Sequence, residues 1–176
     1  MAVILSAQCT DKRVNMVTPT LFERYPEVED LAKAKQADVE EIVRSTGFFR
    51  NKTKNLIATA QRIVSDFGGD VPGDMDELLS LPGVARKTAN VVLGECFQVA
   101  EGVVVDTHVR RVSGRLALTA HDDPKKIEKD LMERIPRSRW ILFSHQLILH
   151  GRRTCFARNP RCPECFLKDD CPAARV

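Results

Sequence analysis

The sequence predicts a mostly α-helical protein. Apolar residues recur at intervals of three and four along most of the chain, which is the spacing of one helix face. Strict alternation of apolar and polar residues, the pattern of a half-buried strand, never persists long enough to predict a strand pair. At 176 residues the chain is long enough for one compact domain or two small lobes, and too short for a multidomain assembly.

Eight helices are predicted in order along the chain. The clearest runs from Asn51 to Phe67, because its apolar side chains share one face and Asn51 can cap its start. The pair Gly68-Gly69 can end it. For the seventh helix, Asp123 is the expected cap and Pro124 suits the first turn. The remaining predictions, the seventh helix included, cover residues 12–24, 38–46, 74–80, 84–97, 107–117, 124–134 and 139–150.

Three shorter features complete the prediction of the fold. Pro19 has no backbone N–H and is expected to kink the first helix. The triplet Val103-Val104-Val105 has no partner triplet in the chain and is expected to be a buried connector rather than a strand. The chain opens on an apolar run, residues 1–5, with no helix-start signal before it, which predicts that an upstream helical segment is missing.

Composition excludes several classes of protein. With 43% hydrophobic and 29% charged residues, the chain is not an intrinsically disordered one. Its longest uncharged run, residues 140–151, is too short and too polar to cross a bilayer. The N-terminus has no basic region followed by a small-residue cleavage site, so the protein is expected to be cytoplasmic and not secreted.

The charge is unevenly spread along the chain. Residues 1–100 carry 12 Lys and Arg against 14 Asp and Glu, whereas residues 101–176 carry 15 against 10. Arginine dominates the second half, and a guanidinium matches the geometry of a phosphate. Nucleic acid is therefore a candidate partner, although a solvated basic face explains the charge equally well.

A Pro-Gly turn joins the helices predicted at 74–80 and 84–97. The free backbone N–H groups of Gly83, Val84 and Ala85 would form an anion site suited to a phosphate. Such a turn commonly has no further role. Lys87 adds information, because burial, the helix dipole and the neighbouring Arg86 would each favour a neutral amine, which is a nucleophile. A solvated surface lysine is the alternative.

A second motif centres on Asp106. Val105, Val109 and Val112 trace one buried stripe, which places Asp106 at the N-cap of the helix. Capping N–H groups would keep this carboxylate ionised and fixed in direction, so that it could stabilise a cationic sugar or activate a nucleophile. Capping alone also explains the aspartate. His108 is either a ligand contact or a partly buried histidine.

Four of the six cysteines crowd into the last 22 residues. They are Cys155, Cys162, Cys165 and Cys171. Four thiolates in a short, Pro-rich segment can hold a metal centre, either zinc or a [4Fe–4S] cluster. Only Cys162 and Cys165 have the knuckle spacing of zinc sites, which favours the cluster. The remaining cysteines, Cys9 and Cys96, are predicted to be small buried hydrophobes.

With these motifs in place, the chain resembles the endonuclease III family of DNA glycosylases, in the helix-hairpin-helix superfamily. The resemblance covers nearly the whole chain and is carried by residues 81–92, 105–108 and 147–152 together with the cysteine tail. It implies a helical-barrel lobe over residues 1–99 and a second helical lobe over 100–176 that ends in a [4Fe–4S] cluster, with DNA bound between them. Family members begin with a helix that covers the cluster lobe, and the resemblance leads to the expectation that this sequence lacks it.

The resemblance also implies an activity. It indicates a monomeric, bifunctional DNA glycosylase and AP lyase that removes oxidised pyrimidines from double-stranded DNA and cleaves 3′ of the abasic site. Lys87 matches the family's Schiff-base lysine and Asp106 its catalytic aspartate. The loop between the first two cluster cysteines would place Arg158 and Arg161 against the DNA backbone.

Other residues match the family's contacts with DNA. Gln8 corresponds to the glutamine that fills the gap left by the flipped base, with Ser6 and Asp11 near the mouth of the pocket and His108 as a further pocket residue. Phe48 corresponds to the wedge between bases, where an aliphatic residue is familiar in the family. Ordinary core packing is the alternative for Phe48.

Two other functions remain open. Monofunctional mismatch glycosylases share the hairpin, the aspartate and the cluster, but normally lack a lysine at the position of Lys87. A non-catalytic DNA-binding module would use the hairpin and the cluster lobe to grip phosphates. Such a module would have no need of Lys87 and Asp106 together.

Overall fold

The computed structural model describes residues 1–175 and is mostly helical, as predicted. No strand occurs in that range. The chain divides into two compact units, Met1–Phe97 and Gln98–Val176. Among the residues described, no helix is long and apolar enough to cross a membrane.

The first unit contains seven α-helices in its described residues, and a 3-10 turn and a π turn follow two of them. The helices are α1 (Ala2–Leu5), α2 (Asp11–Arg24), α3 (Val28–Ala32), α4 (Gln36–Val43), α5 (Phe49–Phe67), α6 (Met75–Ser80) and α7 (Arg86–Val92). The 3-10 turn is Arg44–Thr46 and the π turn is Leu93–Phe97.

Helix α5 is the centre of the first unit. It packs against α3, α4 and α1, and its buried face includes Leu56, Ala60 and Ile63. Burial of an aliphatic side chain of this size is worth about 1.5–3 kcal/mol, so the stripe read from the sequence anchors the unit. The helix ends at Gly68, which has the left-handed conformation that the sequence predicted.

The start of α5 differs from the prediction. Asn51 is exposed and lies inside the helix, which begins two residues earlier at Phe49. Phe48 is the N-cap residue and has a left-handed backbone, with φ of 47°. No side chain caps this end of the helix.

Other predictions in the first unit were incomplete. The apolar run at residues 1–5, interpreted as the continuation of a helix, forms α1. The short helix α3 was not predicted, although Glu27 and Asp30 form a capping box at its start. Pro19 lies within α2, which continues to Arg24. Cys9 packs against the core and is partly buried, but Cys96 is exposed and was wrongly predicted to be buried. It follows Leu93 and Gly94 in the π turn, and these two residues occupy the buried positions.

The second unit contains three α-helices in its described part. They are α8 (Thr107–Arg115), α9 (Pro124–Arg134) and α10 (Trp140–Arg153), and 3-10 turns occur at Arg137–Arg139 and Cys162–Glu164. Helix α8 packs on α10, and the core includes Ile127 and Leu131 of α9. Asp123 caps α9 by accepting hydrogen bonds from the N–H groups of Lys125 and Lys126, both at 3.1 Å.

The connector before α8 confirms another prediction. Val103 is buried, and the three valines form no strand. The N–H of Val104 donates to Ser144 Oγ on α10 at 3.0 Å, so the extended backbone is satisfied by a side chain instead of a neighbouring strand. This bond fixes the chain two residues before Asp106.

Candidate functional site

The Pro-Gly turn between α6 and α7 is held against α5 by two contacts. The hydroxyl of Thr59 donates to the carbonyl of Pro82 at 2.6 Å. Gly83 has φ of +76°, and a Cβ at this position would lie 2.6 Å from Asn55 Nδ2 and 2.9 Å from Asn55 Cβ. Glycine is therefore required both for its backbone conformation and for the close approach of α5.

Two of the three backbone amides expected to bind an anion remain available. The N–H of Val84 donates to the carbonyl of Leu81 at 3.1 Å and closes the turn, which corrects the expectation that it is free. The N–H groups of Gly83 and Ala85 make no hydrogen bond within residues 1–175. The hairpin therefore offers two donors to a phosphate, where the sequence predicted three.

Lys87 is the second residue of α7, inside the first turn as predicted. Its side chain is exposed, and so is that of Arg86 before it. The expectation that burial contributes to a neutral amine is wrong.

Asp106 caps α8 as the sequence predicted. Its Oδ1 atom accepts hydrogen bonds from the N–H groups of His108 and Val109, both at 2.8 Å. The side chain is partly buried, and within the described chain Oδ2 makes no hydrogen bond. One oxygen is therefore fixed by the helix, while the other can interact with a substrate.

His108 and α10 meet at a close approach of helices. The Nδ1 atom of His108 lies 3.1 Å from Arg111 Nη2. Arg111 Nη2 also donates to the Gly151 carbonyl at 3.0 Å. A Cβ on Gly151 would come within 2.9 Å of His108 Nδ1. His108 therefore takes part in packing, and its role in a substrate pocket stays a prediction.

All four cysteines of the tail line one pocket, and so do Val112, Leu116 and His150. Burial lowers the pKa of His150 below that of a free histidine. Throughout residues 1–175, no three His, Cys, Asp or Glu side chains converge closely enough to hold a single metal ion. Four cysteine side chains around one pocket are the donor set of an iron–sulfur cluster, in which each thiolate binds a different iron.

The cysteine loop also carries N–H donors directed at sulfur. Arg115 Nη1 lies 3.1 Å from Cys155 Sγ and donates to the Phe156 carbonyl at 2.7 Å. The N–H of Leu167 lies 3.4 Å from Cys165 Sγ. Hydrogen bonds to the sulfurs stabilise the thiolate form that ligates iron. Sequence reasoning missed Arg111 and Arg115, whose i, i+4 spacing on α8 was the available signal.

The two residues expected to enter the duplex share an unusual backbone. Gln8 has φ of 50° and Phe48 has φ of 47°, in the left-handed region that non-glycine residues seldom adopt. Phe48 is 68% exposed, which excludes core packing for it, whereas Phe49 packs against the core. Strain of this kind costs about 1–3 kcal/mol and clusters at functional sites.

The remaining predicted site residues lie at the surface or at its edge. The hydroxyl of Ser6 donates to the Val3 carbonyl at 2.7 Å, and Asp11 is the exposed first residue of α2. Arg158 and Arg161 are exposed in the cysteine loop, and the Arg161 guanidinium lies 5.4 Å above the ring of Phe156. Both arginines can reach solvent, as contact with a DNA backbone requires.

Comparison with known protein families gives two matches. Residues 1–137 match the HhH-GPD superfamily of base excision DNA repair proteins. Residues 155–171 match the iron–sulfur binding domain of endonuclease III. The second match covers the four cysteines and agrees with the thiolate pocket.

Individual relatives agree with the family models. The endonuclease III of Synechocystis sp. is 56% identical over all of this chain, which covers 80% of that protein. The endonuclease III of Bacillus subtilis is 46% identical over 97% of this chain, which covers 78% of the relative.

Solved structures give the same result. A trapped covalent intermediate of endonuclease III with DNA superposes with a TM-score of 0.92 at 44% identity, covering 98% of this chain and 81% of the other. A thermostable thymine-DNA glycosylase superposes with a TM-score of 0.86 at 24% identity, covering 98% and 81%, and shares the fold. The chain therefore belongs to the endonuclease III family of the HhH-GPD superfamily, and is a DNA glycosylase of base excision repair with an iron–sulfur binding domain.

Proposed function

We propose that this chain is a bifunctional DNA glycosylase and AP lyase that excises oxidised pyrimidines and then cleaves the strand 3′ of the abasic site. The observation that carries the proposal is the exposed amine of Lys87, in the first turn of α7 directly after the hairpin. A related endonuclease III, 44% identical, has been trapped as a covalent intermediate with DNA, which supports a nucleophile of this kind.

Lys87 supplies the nucleophile of the reaction. With the damaged nucleotide turned out of the base stack, the neutral Nζ attacks the anomeric carbon, and the bond from that carbon to the base breaks. The base leaves with the electron pair and takes up a proton. The sugar ring then opens to give an imine between Lys87 and the anomeric carbon. The imine acidifies the neighbouring C2′ proton, and loss of that proton expels the 3′ phosphate.

Asp106 assists this step through its unbonded oxygen. The two capping N–H groups hold Oδ1, so the direction of the carboxylate is set before substrate binds. Oδ2 then stabilises the positive charge that develops on the sugar, or accepts a proton from the attacking amine. This arrangement requires no metal in the chemical step.

Contacts with the DNA backbone come from both units. The N–H groups of Gly83 and Ala85 grip a phosphate. The four cysteines would hold a [4Fe–4S] cluster, which would supply a structural centre for the loop after Cys155. Arg158 and Arg161 of that loop bind phosphates, while Gln8 and Phe48 enter the duplex at the lesion.

Borohydride trapping tests the proposal. The purified protein is mixed with duplex DNA carrying one oxidised pyrimidine, and sodium borohydride reduces any imine to a stable bond. We expect a covalent adduct from the native protein and none from Lys87→Gln. Lys54→Gln, an exposed lysine of α5, is the matched control and should form the adduct.

Each outcome distinguishes between the functions. An adduct that depends on Lys87 supports the lyase. Release of the base without an adduct would identify a monofunctional glycosylase. If the iron-loaded protein binds the DNA but neither releases the base nor forms an adduct, the protein is a DNA-binding module.

A further inference from the structure

Lys52 is a buried lysine in the first unit. It lies in the first turn of α5 with 5% of its surface exposed, and its Nζ donates to the backbone carbonyl of Thr46 at 2.8 Å. Among the residues described, no carboxylate forms an ion pair with it. Burial lowers the pKa of Lys52 below that of a free lysine. Burial of an ammonium group without a counter-ion is unfavourable in free energy. The hydrogen bond to Thr46 offsets part of this penalty.

The bond fixes the segment that leads to the exposed aromatic. Thr46 ends the 3-10 turn, and the next two residues, Gly47 and Phe48, have φ of 71° and 47°. The backbone N–H of Lys52 donates to the Phe48 carbonyl at 3.0 Å. Lys52 therefore binds this segment at both ends, by its side chain before the left-handed residues and by its backbone after them.

The turn is also fastened from its other side. The hydroxyl of Thr46 is buried and donates to the Val43 carbonyl at 2.7 Å, and the turn packs against α2 and α4. The ammonium thus lies beneath the turn that presents Phe48.

We propose that Lys52 is a positioning residue for Phe48: its ammonium holds the Thr46 carbonyl so that the following residues adopt the strained backbone from which Phe48 enters the duplex. This inference rests on the proposed function, in which Phe48 is the wedge. A flexible loop would lose conformational entropy each time Phe48 becomes ordered on DNA, whereas the hydrogen-bonded turn is ordered before DNA binds. Charge-assisted hydrogen bonds are roughly twice as strong as neutral ones, which suits an ammonium to this task.

The first test compares substrates that need a wedge with one that does not. Lys52→Met keeps an unbranched apolar stem of nearly the same length and removes the ammonium group, and Lys52→Arg restores a charge. We expect Lys52→Met to lower base excision from duplex DNA by about tenfold, with cleavage of single-stranded abasic DNA changed less than about twofold. Lys52→Arg should recover part of the loss, and Lys54→Met, an exposed neighbour, should resemble the native protein.

A second test asks whether Lys52 acts through Phe48. In the Phe48→Ala background the further change Lys52→Met should cost less than about twofold, because the wedge is already gone. Equal losses on duplex and single-stranded DNA, or additive effects of the two changes, would show that Lys52 only stabilises the fold and would overturn the inference. A melting temperature for each variant identifies any that does not fold, in which case Lys52→Arg against Lys54→Arg carries the comparison.

A binding measurement separates this inference from the proposed function. A duplex with a tetrahydrofuran abasic analogue cannot form an imine, and 2-aminopurine opposite the analogue brightens when it is unstacked. The native protein should raise this fluorescence and Lys52→Met should raise it much less at saturating protein. If the native protein has no lyase activity but this difference appears, the proposed function fails and the positioning role stands. If the two proteins brighten the probe equally, the positioning role fails.

Discussion

The two units hold their candidate residues by different means. In the first unit, Phe48 and Gly83 lie on short turns with left-handed backbone, next to the amphipathic helix α5. In the second unit, the tail after α10 buries little, and Phe166 within it is 79% exposed. Guanidinium groups of Arg111 and Arg115 bind three of the tail's carbonyls. Backbone conformation and core packing therefore determine the first set of positions, whereas polar bonds hold the second. In the proposed function, thiolate ligation of the cluster adds to those polar bonds.

Removal of one cysteine ligand should have the largest effect, and it should unfold part of the second unit while the first unit stays folded. Cys162→Ala leaves three ligands, and a structural metal centre contributes on the order of 10 kcal/mol to the folding of a small domain. We expect loss of the broad absorption near ~400 nm that iron–thiolate centres give, together with rapid proteolysis in residues 155–175. The helices of the first unit should remain folded.

Cys9→Ala is the matched control, because Cys9 packs against the core of the first unit and does not line the thiolate pocket. It should keep the absorption and the resistance to protease. If Cys162→Ala also resists proteolysis, the arginine bonds alone would hold the tail, and the contrast between the units would disappear.

Asp106 is an exception to this contrast. It lies in the second unit, but backbone N–H groups at the start of α8 fix its side chain. Asn caps helices about as well as Asp, so Asp106→Asn should keep the stability of α8 and lower base excision by about 10²–10⁴-fold. Asp106→Ala should lose the same activity and in addition about 1 kcal/mol of stability. Single-turnover excision and urea denaturation measure the two effects separately. A stable Asp106→Asn variant with native activity would reduce the aspartate to a helix cap.

Local signals account for what could be predicted from sequence. The caps at Asp106 and Asp123 and the end of α5 at Gly68 depend on residues within three positions of the helix terminus. The family resemblance indicated Phe48 as the exposed ring, but local signals alone do not distinguish it from Phe49, because the difference depends on where α5 starts. That start is set by a strained residue, which no propensity favours.

Contacts between distant parts of the chain account for what was missed. The bond from Arg115 to the carbonyl of Phe156 spans 41 positions, and no periodicity reports it. Burial of Lys52 was not predicted either, since charged residues are rarely placed inside. The hydrogen bond made by the N–H of Val84 was missed for a different reason. It joins Val84 to the carbonyl of Leu81 within the turn itself, and no side chain marks it in the sequence.

Gly83→Ala sharpens the comparison on the side of the first unit. A Cβ there would meet Asn55 and would also occupy a left-handed backbone, so we expect a loss of about 1–3 kcal/mol in unfolding free energy. Asn55→Ala in the same chain removes the contacts with Nδ2 and Cγ of Asn55 but leaves the contact with its Cβ and the backbone strain, and should recover part of the loss. Gly114→Ala is the control, since nothing lies within 4 Å of its added Cβ. Full recovery in the double variant would mean that backbone conformation contributes nothing at this turn.

The smallest expected effect is a pH dependence that tests whether a side-chain charge is part of the first unit's architecture. Burial lowers the pKa of Lys52 in the folded protein, while the unfolded chain titrates near the ordinary value of 10.5. Below the folded pKa both states carry the proton, and above 10.5 neither does. Between these limits the unfolded state binds more protons, so native stability rises with pH, by at most about 1.4 kcal/mol per unit. The unfolding free energy of the native protein minus that of Lys52→Met should therefore increase through this window, measured by urea denaturation. The corresponding difference between the native protein and the exposed Lys54→Met variant should not change with pH. If the difference for Lys52→Met instead decreases as pH rises, the fold stabilises the ammonium form of Lys52.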